Sequence, residues 1–410
     1  MPAMNFRLLI LLVLLFALWS CSDKNVQVEK DDTDSMSASV TIVDSGIKTF
    51  SIDNEADFLN LSGLKLTEIV GKEYVTFYGR QAHAIYMYDY ASGDIYRKIV
   101  MKKSGPNTVK AGNQFFFHTL DSIFINSRFG VQLINSKAEI LTQRSAGTKQ
   151  RNGAMVIGDN TPSLQFDQGS RFENGQIEML MLFFNRTEDD YERAVFDFSL
   201  NKAVGEMVQT KTLISNFNEV LRVKQARRKR GEYAFDLARY FSSNQNYLFA
   251  TTPILDSLYL FKRNGELLRT IYAGVPGVEV VPYSDYASLV LQENLTDGFI
   301  YFDNPKQPPY YRSTLMSPNG RFVYRVFYHG AKPRFNEESD RPIPYVFEAT
   351  LVIVDLETEY LIYYSLPVDE IDLEIRSNPN LFVSNRGIHF RVKGQENEDQ
   401  VQFRVFELKH

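Results

Sequence analysis

Five histidines, one cysteine, a few acidic loops and one basic run are the residues with which this 410-residue chain could do chemistry. The histidines are His83, His118, His329, His389 and His410. No two sit at a metal-ligand spacing such as HxH or HxxxH, and a lone cysteine cannot complete a thiolate site. The stretches DQGSRFEN (167–174) and TEDDYE (187–192) are rich in oxygen ligands but lack the EF-hand spacing that Ca²⁺ needs. No GxSxG elbow, Walker loop or GxGxxG turn is present. The expectation is therefore no catalytic residue, no metal ligand and no cofactor.

Two other stretches suit contact with a partner rather than reaction. KQARRKRG (224–231) concentrates Lys224, Arg227, Arg228, Lys229 and Arg230. Such a field suits an anionic partner, for example lipid headgroups, an acidic polysaccharide or an acidic protein face. The segment 283–313 carries Tyr283, Tyr286, Tyr310 and Tyr311 among Pro and Asn residues, a composition that suits a ligand loop for carbohydrate or peptide. The formal net charge of −5 argues against nucleic acid, which needs a basic field to displace counterions.

Cys21 stands in a different setting. Arg7 precedes an unbroken apolar run over 8–18, too short to span a bilayer and suited to the core of a secretory leader. Leu18-Trp19-Ser20-Cys21 resembles the bacterial lipoprotein box, with Trp19 as the departure from its pattern. That resemblance implies removal of residues 1–20 and acylation of Cys21, which anchors the chain to a membrane. Residues 21–38 are polar and charged and read as a flexible acidic tether. Ser22, Asp23 and the acids Asp31, Asp32 and Asp34 loosely resemble the sorting signals of Bacteroidota surface lipoproteins. The expected place is the cell envelope, on the periplasmic or the outer face of the outer membrane.

Residues 39–410 read as one domain. The phrase HAIYMYDYASGDIYRKI (83–99) returns as LDSLYLFKRNGELLRTI (255–271). Each is an apolar strand, an Asp- or Asn-containing turn and a second strand. Weaker copies lie at 131–143, 194–208 and 350–366, and a strand-like run precedes most of them. A shorter phrase recurs as TLDSIFI (119–125) and ILDSLYL (254–260). Insertions interrupt the spacing at 159–174 and 274–309. Units of about four short strands cannot bury both faces alone, so they must stack. Radial stacking gives an all-β, six-bladed β-propeller, or seven-bladed if residues 275–310 hide a blade. The last unit lacks a strand, and residues 39–52 offer one. Pairing the N-terminal strand with the C-terminal blade closes the ring.

SPNGRFVY (317–324) resembles the strand entry of propeller repeats, and 255–271 resembles blades of NHL-like six-bladed propellers. With its lipobox and acidic tether, the chain is similar to a Bacteroidota lipoprotein family of six-bladed propellers, family 4221 of the domains of unknown function. The family brings no catalytic residues with it. Propeller lactonases place Glu, Asn and Asp around a channel metal, and Glu68, Asn126, Asp236 and Glu348 are the residues that such a site would draw on here. Two functions follow: a non-enzymatic binding or scaffolding module for a protein or glycan, and, as the alternative, a metal-dependent hydrolase or lactonase. The scarcity of ligand sets favours the first.

Overall fold

The computed structural model describes residues 40–53, 62–105 and, with gaps, 108–214, 240–278 and 309–409. Residues 38–410 form one compact unit. Among the described residues every regular element is a strand.

The chain opens with β1 (Thr41–Ser51). It then builds a first sheet from β2 (Ser62–Ile69), β3 (Lys72–Gly79), β4 (Ala84–Asp89) and β5 (Ile95–Val100). A second sheet follows in β6 (Phe115–Thr119), β7 (Ser122–Ser127), β8 (Gly130–Ile134) and β9 (Ile140–Ser145). After a small hairpin, β10 (Lys149–Arg151) with β11 (Ala154–Val156), comes the third. It holds β12 (Thr161–Gln165), β13 (Arg171–Glu173), β14 (Gln176–Phe184), β15 (Tyr191–Asp197) and β16 (Met207–Ile214). The fourth is β17 (Tyr240–Ser243), β18 (Tyr247–Thr251), β19 (Ser257–Lys262) and β20 (Leu267–Tyr272).

The fifth runs β21 (Tyr310–Met316), β22 (Phe322–Tyr328), β25 (Ala349–Asp355) and β26 (Leu361–Ser365). A separate hairpin, β23 (Ala331–Asn336) with β24 (Ser339–Val346), is inserted in it. The last is β27 (Leu381–Val383), β28 (Gly387–Arg391) and β29 (Gln400–Lys409), completed by β1. Among the described residues six blade-type sheets result, five four-stranded and one five-stranded. The fifth strand of the third sheet comes from a broken inner strand. β12 pairs with Leu180–Phe184 and β13 with Gln176–Glu178 of the same neighbour. The stretch 159–174 is therefore not a plain insertion, because it contains β12 and β13. Residues 279–308, where a seventh blade was conceivable, lie outside the described residues.

The first strands line the inside of a ring. β2 lies beside β6 and β27, and β21 lies beside β17 and β27. The ring closes as the sequence suggests. β1 pairs antiparallel with β29 from Thr41↔Lys409 to Ser51↔Gln400, with a bulge between Asp44 and Ile47. Arg404 donates to Asp44 at 2.7 Å across this pair and also meets Glu370.

Why these strands are so apolar follows from where they sit. Ala84, Tyr86 and Tyr88 of β4 pack toward the last blade, against Phe50, Phe382 and Phe403. Ile85 and Met87 point the other way and pack with Phe117 and Ile123 of the second blade. Both faces of a middle strand are thus buried, so its sequence is continuously apolar. Outer strands have one wet side: β5 and β20 expose half or more of their residues and bury only Ile99 and Ile271. Truncating a fully buried ring such as Phe77 would cost about 3–5 kcal/mol through lost burial and the cavity left.

The turn between third and fourth strands repeats. Asp89 and Asp355 end the third strand of their blades and Asn135 directly follows it, and each accepts a backbone N–H two residues on, from Ala91, Glu357 and Lys137 respectively. A left-handed residue follows in each: Gly93, Ala138 and Glu359. Asx side chains close such turns because they mimic a backbone turn. At Gly93 a Cβ would overlap the Thr49 carbonyl of β1, so glycine is required there by close approach.

Candidate functional site

Most of the expected site residues fall outside the described residues: Cys21, the run Lys224, Arg227, Arg228, Lys229 and Arg230, and Tyr283, Tyr286, Asp236 and His410. Tyr310 and Tyr311 do not belong to an exposed ligand loop. They open the inner strand β21 and are buried. Tyr310 stacks edge-on to Tyr328, and Tyr311 points into the seam between the fourth and fifth blades. Two bulky rings adjacent in sequence can serve opposite faces of one strand, which is why they read as a loop feature and act as core.

The remaining candidates are spread apart. Glu68 is exposed in β2 opposite Glu73, whereas Asn126 of β7 exchanges hydrogen bonds with Gln114. His118 packs its ring edge on Phe172 of the third blade. His83 occupies a left-handed turn, with Nδ1 2.7 Å from the Tyr78 hydroxyl, and burial lowers its pKa. Among the described residues no three His, Cys, Asp or Glu side chains gather as a metal group. The recurring Asp-Ser phrases also take different places in their blades: Asp121 lies in a first-to-second strand turn, but Asp256 enters a third strand.

The structure instead gathers polar chemistry at two seams. Between the fourth and fifth blades, Arg325 of β22 is fully buried on the side that also carries Val323 and Phe327. Its Nη1 donates to the carbonyls of Asp256 and Ala273 at 3.2 and 3.1 Å, and its Nη2 to Thr251 Oγ1 at 3.2 Å. The guanidinium carbon lies 3.4 Å from the Tyr311 ring centroid. The Tyr311 hydroxyl donates to Asp256 Oδ1 at 2.6 Å. Burial raises the Tyr311 pKa, with Arg325 opposing, so this phenol stays a donor. Tyr363 donates to the carbonyl of Gly274 at 2.9 Å, and a Cβ on Gly274 would overlap the Tyr272 hydroxyl.

Between the last and first blades the pin is neutral. His389 of β28 is fully buried, stacked on Phe382, with Nε2 2.7 Å from the Tyr90 hydroxyl. Burial, helped by the charges of Arg386 and Lys48, pulls its pKa down to about 3. Lys48 of β1 donates to the Ala91 carbonyl at 2.8 Å and lies 5.4 Å from the Tyr90 ring centroid. Asp53 pairs with Lys98 at 2.8 Å.

A third feature is an arm. β22 and β25 pair up to Tyr328↔Ala349, His329 N–H bonds the Glu348 carbonyl at 3.1 Å, and β23 pairs with β24 beyond it. One two-stranded ribbon therefore continues out of the fifth blade. At its root His329 Nε2 lies 2.7 Å from Thr350 Oγ1 and 3.9 Å from Glu348. Burial lowers the His329 pKa and Glu348 opposes that shift.

A ring of four-stranded blades closed by its own first strand defines a β-propeller. Residues 39–271 match the family model described as Domain of unknown function (DUF4221), and the chain belongs to that family. A solved DUF4221 member from Bacteroides vulgatus is similar at 16% identity, covering 90% of this chain and 99% of its own, with TM-score 0.61. A protein of Bacteroides fragilis shares 11% identity over 90% of this chain and 97% of its own, with TM-score 0.49. The WD40 domain of Neurospora crassa Pan2 shares 8% over 89% and 95%, with TM-score 0.37. No curated protein matches the chain.

Proposed function

We propose that this chain is an exported, lipid-anchored propeller that serves as a non-enzymatic binding or scaffolding module for a protein or glycan partner. The observation that carries this reading is the use made of buried polar groups. Arg325, Tyr311, Thr251 and Asp256 at one seam, and His389 and Tyr90 at the other, direct hydrogen bonds across blade boundaries. These side chains are ties that stiffen a ring. A stiff ring suits presentation of loops. The leader-like run and the lipobox ending at Cys21 support the anchor. Lys224, Arg227, Arg228, Lys229 and Arg230, which fall in sequence between β16 and β17, and Tyr283 and Tyr286, which fall in sequence between β20 and β21, are the residues offered for partner contact.

The test is to purify the mature protein from membranes and measure N-terminal mass, intrinsic emission and bound metal together. The expected result is an acylated Cys21, tyrosine-type emission because Trp19 has left with the leader, and no stoichiometric metal. One equivalent of Ca²⁺ or Zn²⁺ per chain would turn the reading toward a channel enzyme. Trp-type emission would sink the cleavage after Ser20.

A further inference from the structure

The ring has two unlike ends, and the path of the chain says which is which. In every blade the first-to-second strand turns share one end with the third-to-fourth strand turns. The second-to-third connections and the crossings to the next blade share the other. Turns at the first end are short: Val70-Gly71 joins β2 to β3, and Asn174-Gly175 joins β13 to β14, all four residues in the left-handed region. The other end carries the β10–β11 hairpin and the β23–β24 arm.

β1 begins at the short-turn end. Thr41 pairs with Lys409, the last residue of β29, and Gly387 at the β27–β28 turn pairs with Glu407 beside it. The chain therefore enters the ring at Thr41 from the end opposite the arm. Exposed apolar side chains also gather there. Val70 stands 95% exposed at a turn tip, a left-handed position that a β-branched residue rarely takes. Ile95 and Tyr96 open β5, Leu267 and Leu268 open β20, and Tyr360 precedes β26, all exposed. Val100, Tyr272 and Phe347 are exposed toward the other end.

The arm is built differently. Pro333 and Pro344 stand opposite each other, and Pro342 stands opposite Phe335. Two prolines can face each other only at a pair that exchanges no hydrogen bonds. The alternation then turns the amides of Ala331, Pro333, Phe335, Pro342, Pro344 and Val346 outward, and three of these six are proline. Its edges are blunted against strand addition.

We propose that the short-turn end of the ring docks on the lipid surface to which the chain is anchored, and that the β23–β24 arm points away from it. This rests on the anchoring through Cys21. A coil-like tether over 21–40 would have a root-mean-square span of about 25 Å, which holds its attachment end near the membrane. Blade and arm together place the arm tip about 40 Å farther out, at about 3.3 Å per residue.

The test places a fluorophore at Ser92→Cys, an exposed turn residue at the short-turn end, or at Asn336→Cys, the last residue of β23. The acylated protein is reconstituted on phosphatidylethanolamine–phosphatidylglycerol vesicles that carry a headgroup quencher. The Ser92 position should be quenched at least about twofold more than the Asn336 position, since contact quenching requires the headgroup layer to reach the dye. Equal quenching, or stronger quenching at Asn336, would overturn the proposal. Flotation of the same samples separates the two ideas: protein that does not float with vesicles refutes the acyl anchor. The geometry is then read on the full mature chain with Cys21→Ser and an N-terminal histidine tag, held on nickel-chelating lipid. There the same ranking is required, and its reversal or loss overturns the docking.

Discussion

The seam between the last and first blades and the seam between the fourth and fifth do the same job with different chemistry. In both, a cation from the outer strand of one blade donates to a carbonyl in the third-to-fourth strand turn of the next. Lys48 meets Ala91 in the first case and Arg269 meets Leu356 in the second. Deeper in, they part. The closing seam uses a histidine–tyrosine bond among stacked rings, and the interior seam uses a buried guanidinium bonded to two carbonyls and a hydroxyl. The interior seam joins blades built from consecutive strands of the chain and bears a buried charge, whose desolvation is offset only while every partner stays in place. A seam that must be closed by the chain ends relies on apolar burial and a neutral hydrogen bond, which are less sensitive to small displacements.

The largest expected effect is at the closing seam. Removing residues 39–52 strips β29 of its outer partner and exposes Phe403 and Tyr88, so cooperative denaturant unfolding should vanish, as followed by circular dichroism. A truncated chain with an unchanged midpoint would show that closure does not hold the ring.

Next comes Arg325→Ala, which removes the guanidinium's hydrogen bonds to the carbonyls of Asp256 and Ala273 and to the Thr251 hydroxyl and opens a cavity. A loss of about 3–5 kcal/mol is expected in equilibrium urea unfolding. Arg325→Met, which keeps the volume, should recover part of it. Equal losses for both would assign the effect to charge rather than packing.

The smallest is a pH effect peculiar to the closing seam. His389 binds a proton in the unfolded chain near pH 6.5 but in the fold only near pH 3. The unfolded state therefore holds more protons between these values, and stability falls as pH drops through 6.5 toward 3. The loss at pH 5 is about 2 kcal/mol. His389→Phe should flatten that slope between pH 7 and 5. An unaltered slope would place the acid sensitivity elsewhere.

Much of the ring was legible because blades impose a period. The run 84–88 is continuously apolar for the physical reason that both its faces pack against neighbouring blades, and in 257–261 Leu258 and Leu260 pack against the fifth blade. The closure was legible from a missing strand at one end and a spare one at the other. The seams were not. Arg325 sits in the middle of RFVYRVFYH, where its charge reads as an exception, and its carbonyl partners at 256 and 273 come from another blade. His389 and Tyr90 are 299 residues apart and meet only because the ring closes. Tyr310 and Tyr311 read as loop residues because composition around Pro308-Pro309 marks a loop, while strand β21 begins at the very next residue. The arm was hidden for a related cause: three prolines argue against a strand unless its outer edge is left unpaired.

The pairing of β1 with β29 has a mechanical consequence. A pull on Thr41, with the ring held at the arm end, runs along the strand rather than across it. The ladder from Thr41↔Lys409 to Ser51↔Gln400 is then strained in shear, so its bonds resist together instead of opening one after another. The strand that completes the fold is thereby oriented as a clasp, tightest against a tug from the direction in which its own N-terminus leaves.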